Sequence, residues 1–138
     1  MHGFARNTRR SSWSGYEAPN AYRIETYTTA PGDFVVALEG ELDLATRPDL
    51  ERELAKLREL NPRSVVADLT GATFVDTGTL GVLARADVRV VCNDRHTLKI
   101  LYLTGLDRIM EVFETIAEAV GSRAYPANVV VLRRTAHG

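Results

Sequence analysis

Ser64-Val65-Val66-Ala67-Asp68-Leu69-Thr70-Gly71-Ala72-Thr73-Phe74-Val75-Asp76-Thr77-Gly78-Thr79-Leu80-Gly81 joins an apolar run to the start of a helix. Residues 64–69 form a short apolar run with turn formers after it, the pattern of a strand buried in a sheet. Thr77 stands just ahead of Leu80, Val82 and Leu83, so a helix is expected to begin there. A strand feeding a helix is the repeating unit of an α/β domain. Glycines mark the junction, but the spacing is not GxxxxGK[ST], and no lysine lies near to meet a phosphate. A GxSxG hydrolase elbow is also absent.

On the N-terminal side, residues 21–30 (AYRIETYTTA) are β-branched and aromatic in rough alternation. Pro31-Gly32-Asp33 signals a turn and FVVALEG follows, so an antiparallel hairpin is expected. Thr46 with Asp49 three residues on reads as a capping box, with Pro48 in the first turn. Leu50, Leu54 and Leu57 then line one face of a helix that Asn61-Pro62 ends. On the C-terminal side, residues 88–92 (VRVVC) read as a strand. A helix through Leu98, Leu101 and Tyr102 stops at Gly105, residues 108–113 (RIMEVF) suit an edge strand, and Thr115 caps a last helix carrying Ile116, Ala119 and Val120.

The order β-β-α-β-α-β-α-(β)-α implies an α/β fold: a mixed sheet of four to five strands with helices mainly on one face. Val65, Val66, Leu69, Val82, Leu83, Val90 and Leu101 are the expected core. Residues 1–20, rich in Ser, Arg, Asn and Gly, read as a disordered N-terminal arm, made locally basic by Arg6, Arg9 and Arg10. The folded domain is expected over 21–122. Residues 123–138 form a C-terminal extension to which periodicity assigns no place.

Composition narrows the function. The chain has 138 residues, one domain's worth, with 45% apolar and 25% charged residues. Lys+Arg number 17 against 18 Asp+Glu, which argues against a general polyanion binder. Cys92 is the only cysteine, and the three histidines have no metal-ligand spacing, so neither an internal disulfide nor a zinc site is expected. No apolar run approaches the roughly 20 residues that span a bilayer. Residues 1–15 lack the apolar segment of a secretory signal. A cytoplasmic protein without metal or cofactor is the expectation. Taken singly, Asp43, Asp68 and Asp76 read as residues that end strands and cap helices, Cys92 as inert core, and His96 as a solvent-facing residue at a helix start. Thr77 by itself reads as an N-cap, with Gly78 easing the turn.

Several short motifs, in order, resemble the STAS domains, and among them the anti-sigma-factor antagonists. Gly40-Glu41-Leu42-Asp43 resembles that family's GELD segment. Ser64–Leu69 resembles its central strand, and Phe74-Val75-Asp76-Thr77-Gly78-Thr79-Leu80-Gly81 its D-S-[ST]-G-L-G motif. Leu103-Thr104-Gly105-Leu106 and Thr115-Ile116-Ala117-Glu118-Ala119 resemble two later segments. The resemblance spans about residues 21–122 and implies a STAS-like fold. It also implies a non-enzymatic binding protein that docks an anti-sigma factor with GHKL-type serine/threonine kinase activity, is phosphorylated by it and released, and is reset by a phosphatase. With the charge balance and the lack of a long apolar run, no direct nucleic-acid contact and no membrane are expected.

Carried onto this chain, the phosphoacceptor position falls on Thr77, with Asp43, Asp76, Gly78 and Thr79 on the partner-facing surface. Thr79 is the rival acceptor. Two departures stand out. Thr77-Gly78-Thr79 replaces the family's hydroxyl-hydroxyl-glycine order, and the helix after Thr77 is expected to be short. Both keep a second reading open, a constitutive STAS binding module, scaffold or transporter accessory, with no phospho-switch.

Overall fold

In the computed structural model, residues 7–10 and 22–121 are described. The expected C-terminal extension and most of the expected N-terminal arm lie outside them. The elements are β1 (Asn7–Arg10), β2 (Tyr22–Ala30), β3 (Asp33–Leu42), α1 (Arg47–Arg58), β4 (Ser64–Val75), α2 (Thr77–Arg85), β5 (Arg89–Val91), α3 (Arg95–Thr104), a 3₁₀ turn at Leu106–Arg108, β6 (Val112–Phe113) and α4 (Ile116–Gly121). The strands form one sheet in the order β1-β2-β3-β4-β5-β6. β2 and β3 pair antiparallel through the tight turn at Gly32, whose φ of 84° suits glycine. β4, β5 and β6 each add in parallel.

Four residues of the expected arm, Asn7–Arg10, pair antiparallel with β2 from Asn7↔Thr26 to Arg10↔Arg23, so that part is a strand. β2 would otherwise present an edge of unpaired N–H and C=O groups, and any extended segment can pair with them whatever its side chains. A polar four-residue strand of this kind has no apolar period to announce it.

The apolar runs of the central strands serve two cores. Val36, Leu38, Ala67, Leu69 and Val90 face α1, α2 and α3, whose Leu50, Leu54, Leu57, Leu80, Leu83 and Leu101 close over them. Their neighbours Val35, Val66 and Val91 point the other way, onto Ala119 of α4. Side chains alternate across a strand, so consecutive apolar residues feed both layers. Among the described residues, three of the four helices share one face, as expected. Of the expected core residues, six are buried, and Val65 is only partly so, packed at the margin of the larger cluster.

β4 runs six residues beyond the expected strand. Its pairing with β3 shifts between Ala37 and Glu39 and again between Gly40 and Glu41, so β4 carries an extra residue at each place. These bulges break the two-residue alternation past Leu69, which hides the strand in the sequence. Asp68, expected at a strand end, lies at the first bulge, where its carboxylate accepts bonds from the Thr70 N–H and hydroxyl at 3.0 and 2.8 Å. The segment 108–113 is likewise mostly turn, and only Val112–Phe113 forms the edge strand. Gly105 ends α3 in the left-handed conformation, and Thr115 caps α4 by accepting from the Glu118 N–H at 3.1 Å.

Because Leu69 is buried where β4 meets the three-helix layer, Leu69→Ala is expected to destabilise the domain by about 2–5 kcal/mol. Urea unfolding of the two proteins measures it. A loss under about 0.5 kcal/mol would remove Leu69 from the core.

Candidate functional site

The parallel pairing of β3 with β4 ends at Leu42↔Val75, so the two loops that leave these strands for α1 and α2 emerge side by side. The Asp76 N–H donates to the Leu42 carbonyl at 3.0 Å and joins them. In the first loop, Asp43 Oδ1 accepts from the Ala45 N–H at 3.1 Å, and the Thr46 N–H closes onto the Asp43 carbonyl at 2.9 Å. The expected capping box is not formed. Buried Thr46 accepts from the Asp43 N–H and donates to the Glu41 carbonyl, at 3.0 and 3.3 Å, so its hydroxyl shapes the loop and leaves α1 uncapped. Asp49 is engaged by Tyr22 and Arg52. Burial and the Asp49 contact push the Tyr22 phenol well above its ordinary pKa.

In the second loop the N-cap is Asp76. It has extended backbone, and its Oδ1 accepts from the Thr79 N–H at 2.8 Å. Thr77 is therefore the first helical residue, and its side chain is exposed. Thr79, expected on the partner-facing surface, is instead 0% exposed and reaches the Asp43 carbonyl at 3.5 Å. Two residues along a helix turn a side chain by about 200°, which carries Thr79 inward as Thr77 points out. α3 repeats the arrangement: Asp94 caps it, and buried Thr97 donates to Asp94 through N–H and hydroxyl, each at 2.9 Å. The D-x-x-T spacing is thus a local cap at both places, and Thr79 belongs to the interior.

Arg47, which the sequence reading missed, completes the site. From the first turn of α1 its Nη2 donates to Asp76 Oδ2 at 2.7 Å. A Cβ placed on Gly78 would overlap the same nitrogen, so the guanidinium occupies the space that a side chain at 78 would need. The available signal was a cation in the first turn of a helix, where the macrodipole disfavours it. Burial pushes the Asp76 carboxyl up. The hydrogen bonds from Thr79 and Arg47, with the Arg47 charge, outweigh burial and hold it below its ordinary pKa of 3.8.

Leu44, 71% exposed, follows half-buried Asp43 in the first loop, and Phe74, 45% exposed, stands two residues before half-buried Asp76. Asp43, Asp76, Thr77 and Gly78 thus share one end of the sheet.

The profile of the STAS domain matches residues 24–119. The chain belongs to the STAS domain family. Anti-sigma-F factor antagonist RsfB of Mycobacterium tuberculosis is 28% identical over 111 residues, covering 75% of this chain and 90% of that protein. The crystal structure of an anti-sigma factor antagonist from Mycobacterium paratuberculosis matches with a TM-score of 0.72 and 25% identity, over 80% of this chain and 100% of that one. The Bacillus cell fate determinant SpoIIAA, in its phosphorylated form, shares the fold with a TM-score of 0.54 and 16% identity, over 72% of this chain and 97% of that one. Among the described residues no helix is long and apolar enough to cross a membrane.

Asp76→Asn keeps an acceptor but removes the charge. Because the Asp76 pKa is lowered by folding, its contribution to stability is present above 3.8 and is lost as pH falls through the folded-state value. The variant is expected to show a flatter dependence of unfolding free energy on pH below about 5. Asp76→Ala is expected to cost about 1 kcal/mol through loss of the cap. Parallel profiles for the Asp76→Asn variant and the parent protein would show that the carboxylate charge is idle.

Proposed function

We propose that this protein is an anti-sigma factor antagonist. It docks an anti-sigma factor through the end of the sheet that carries Asp43, Leu44, Phe74 and Asp76, and it is released when that partner's GHKL-type kinase activity phosphorylates Thr77. The observation that carries this reading is the contrast between the two threonines: Thr77 offers an exposed hydroxyl at the start of α2, and Thr79 is buried. The relatives' names as anti-sigma factor antagonists and the phosphorylated form of SpoIIAA support it.

The physical consequences agree. Exposed Leu44 and Phe74 supply apolar area for docking, and Asp43 and Asp76 supply polar contacts that choose the partner. A phosphoryl group adds a charge of about −1.5 to −2. At a helix N-terminus that charge is tolerated within the folded protein. Beside Asp76 and inside a desolvated contact it is costly. Modification would thus break the complex and leave the fold intact, and a phosphatase would reset it. In this reading the chain acts as a substrate and a ligand. The order Thr77-Gly78-Thr79 favours a second reading, a constitutive STAS binding module.

Incubation with ATP and each GHKL kinase of the same genome, followed by phosphosite mapping, separates the two. Label is expected on Thr77. Thr77→Ala should abolish it and keep binding, and Thr77→Glu should weaken binding by about tenfold or more. Label confined to Thr79 would require local unfolding of α2 and would move the role there. A kinase that binds tightly and leaves no label would establish the constitutive module.

A further inference from the structure

The Arg47 guanidinium touches both chain neighbours of Thr77. Its Nη2 is 2.7 Å from Asp76 Oδ2 on one side, and on the other its Nη2 and Cζ overlap the place where a Gly78 Cβ would stand, with Nη1 at 2.8 Å from it. Its Nε is shielded from solvent and makes no hydrogen bond. A planar donor fork with an unused N–H therefore lies across the first turn of α2, which begins at exposed Thr77. Glycine at 78 is what makes the room. Any larger residue there must push the guanidinium aside, so Arg47 and Gly78 are one arrangement in two parts.

The geometry points to Arg47 as the residue that receives the phosphoryl group on Thr77, leaving Asp76 to do so. This inference rests on Thr77 being the acceptor. Before modification, Arg47 neutralises Asp76. A phosphate carries more charge than a carboxylate and three acceptor oxygens, and an arginine fork binds it through two parallel bonds. A side-chain rotation would have to carry the fork from Asp76 and Gly78 to the residue between them. When the fork turns to the phosphate, Asp76 loses its cation. The docking surface then acquires the phosphate charge and an uncompensated carboxylate in one step, and the phosphoprotein is held folded by the pair that formed. Arg47 is a positioning residue in this scheme.

The test needs no kinase. Phosphothreonine is placed at position 77 by chemical ligation, and the second ionisation of its phosphate is followed by ³¹P NMR in the full chain. Arg47→Ala, Arg47→Lys and Gly78→Ser are compared with the parent. In the parent the phosphate is expected to ionise about one pH unit lower than in Arg47→Ala, a tenfold change in proton affinity. Arg47→Lys should lie between them, because an ammonium keeps the charge and loses the fork. Gly78→Ser should move toward Arg47→Ala with Arg47 still present. The same phosphate titration in the parent and in a folded Arg47→Ala would overturn the inference. Should Arg47→Ala not fold, coincident curves for Gly78→Ser and the parent would do so. If no kinase labels Thr77, the functional reading fails separately, and the titration still reports where Arg47 goes.

Discussion

The parallel pairing of β3 with β4 fixes where the site's two loops leave the sheet. It runs from Asp33↔Ser64 to Leu42↔Val75, the longest pairing in the sheet, and it brings together two loops distant in sequence. Every hydrogen bond between those loops, from the Asp76 N–H on Leu42 to the Thr79 hydroxyl near the Asp43 carbonyl, follows from that register. The two bulges in β4 are part of the same constraint. They add a residue twice over, and so set where the strand ends relative to its partner. Without them Val75 would not arrive opposite Leu42.

The α2 and α3 N-termini make a useful internal comparison. Both are capped by an aspartate that receives the N–H of a buried threonine three residues on. For Asp94 the Thr97 N–H and hydroxyl are the chief influences holding its carboxyl below the ordinary range. Asp76 differs in having an arginine from another helix across it and a glycine beneath that arginine. The cap is thus generic, and the guanidinium is what individualises the α2 end.

Much of this was legible in the sequence, and the gaps have physical causes. The hairpin, the Leu50-Leu54-Leu57 face of α1, the helix stop at Gly105 and the Thr115 cap are local patterns, and each is present. What escaped depends on distant partners. The far half of β4 is held by β3 despite a broken alternation. β1 pairs through its backbone and carries no apolar signal. Glu53 falls on the buried side of α1 at 1% exposure, tolerated because Thr26 donates to it at 2.7 Å and Lys56 lies 3.4 Å away. The motif residues Asp76, Thr77 and Gly78 were found from their resemblance to a family. Their division of labour, and the inward turn of Thr79, came only from the geometry. Arg47 escaped for the same reason as Glu53, since its partner lies 29 residues away.

The span across the site has a bearing on quality control in the cell. Thr79 and Asp43 are 36 residues apart in the chain, and no single hairpin or βα unit contains both. Contacts of such separation form only after considerable loop-closure entropy has been overcome, so they arise with the global fold and not before it. A nascent or partly unfolded chain would display the motif and lack the surface. A partner that recognises the assembled end of the sheet therefore selects finished molecules, and by binding only these it draws the folding equilibrium toward them.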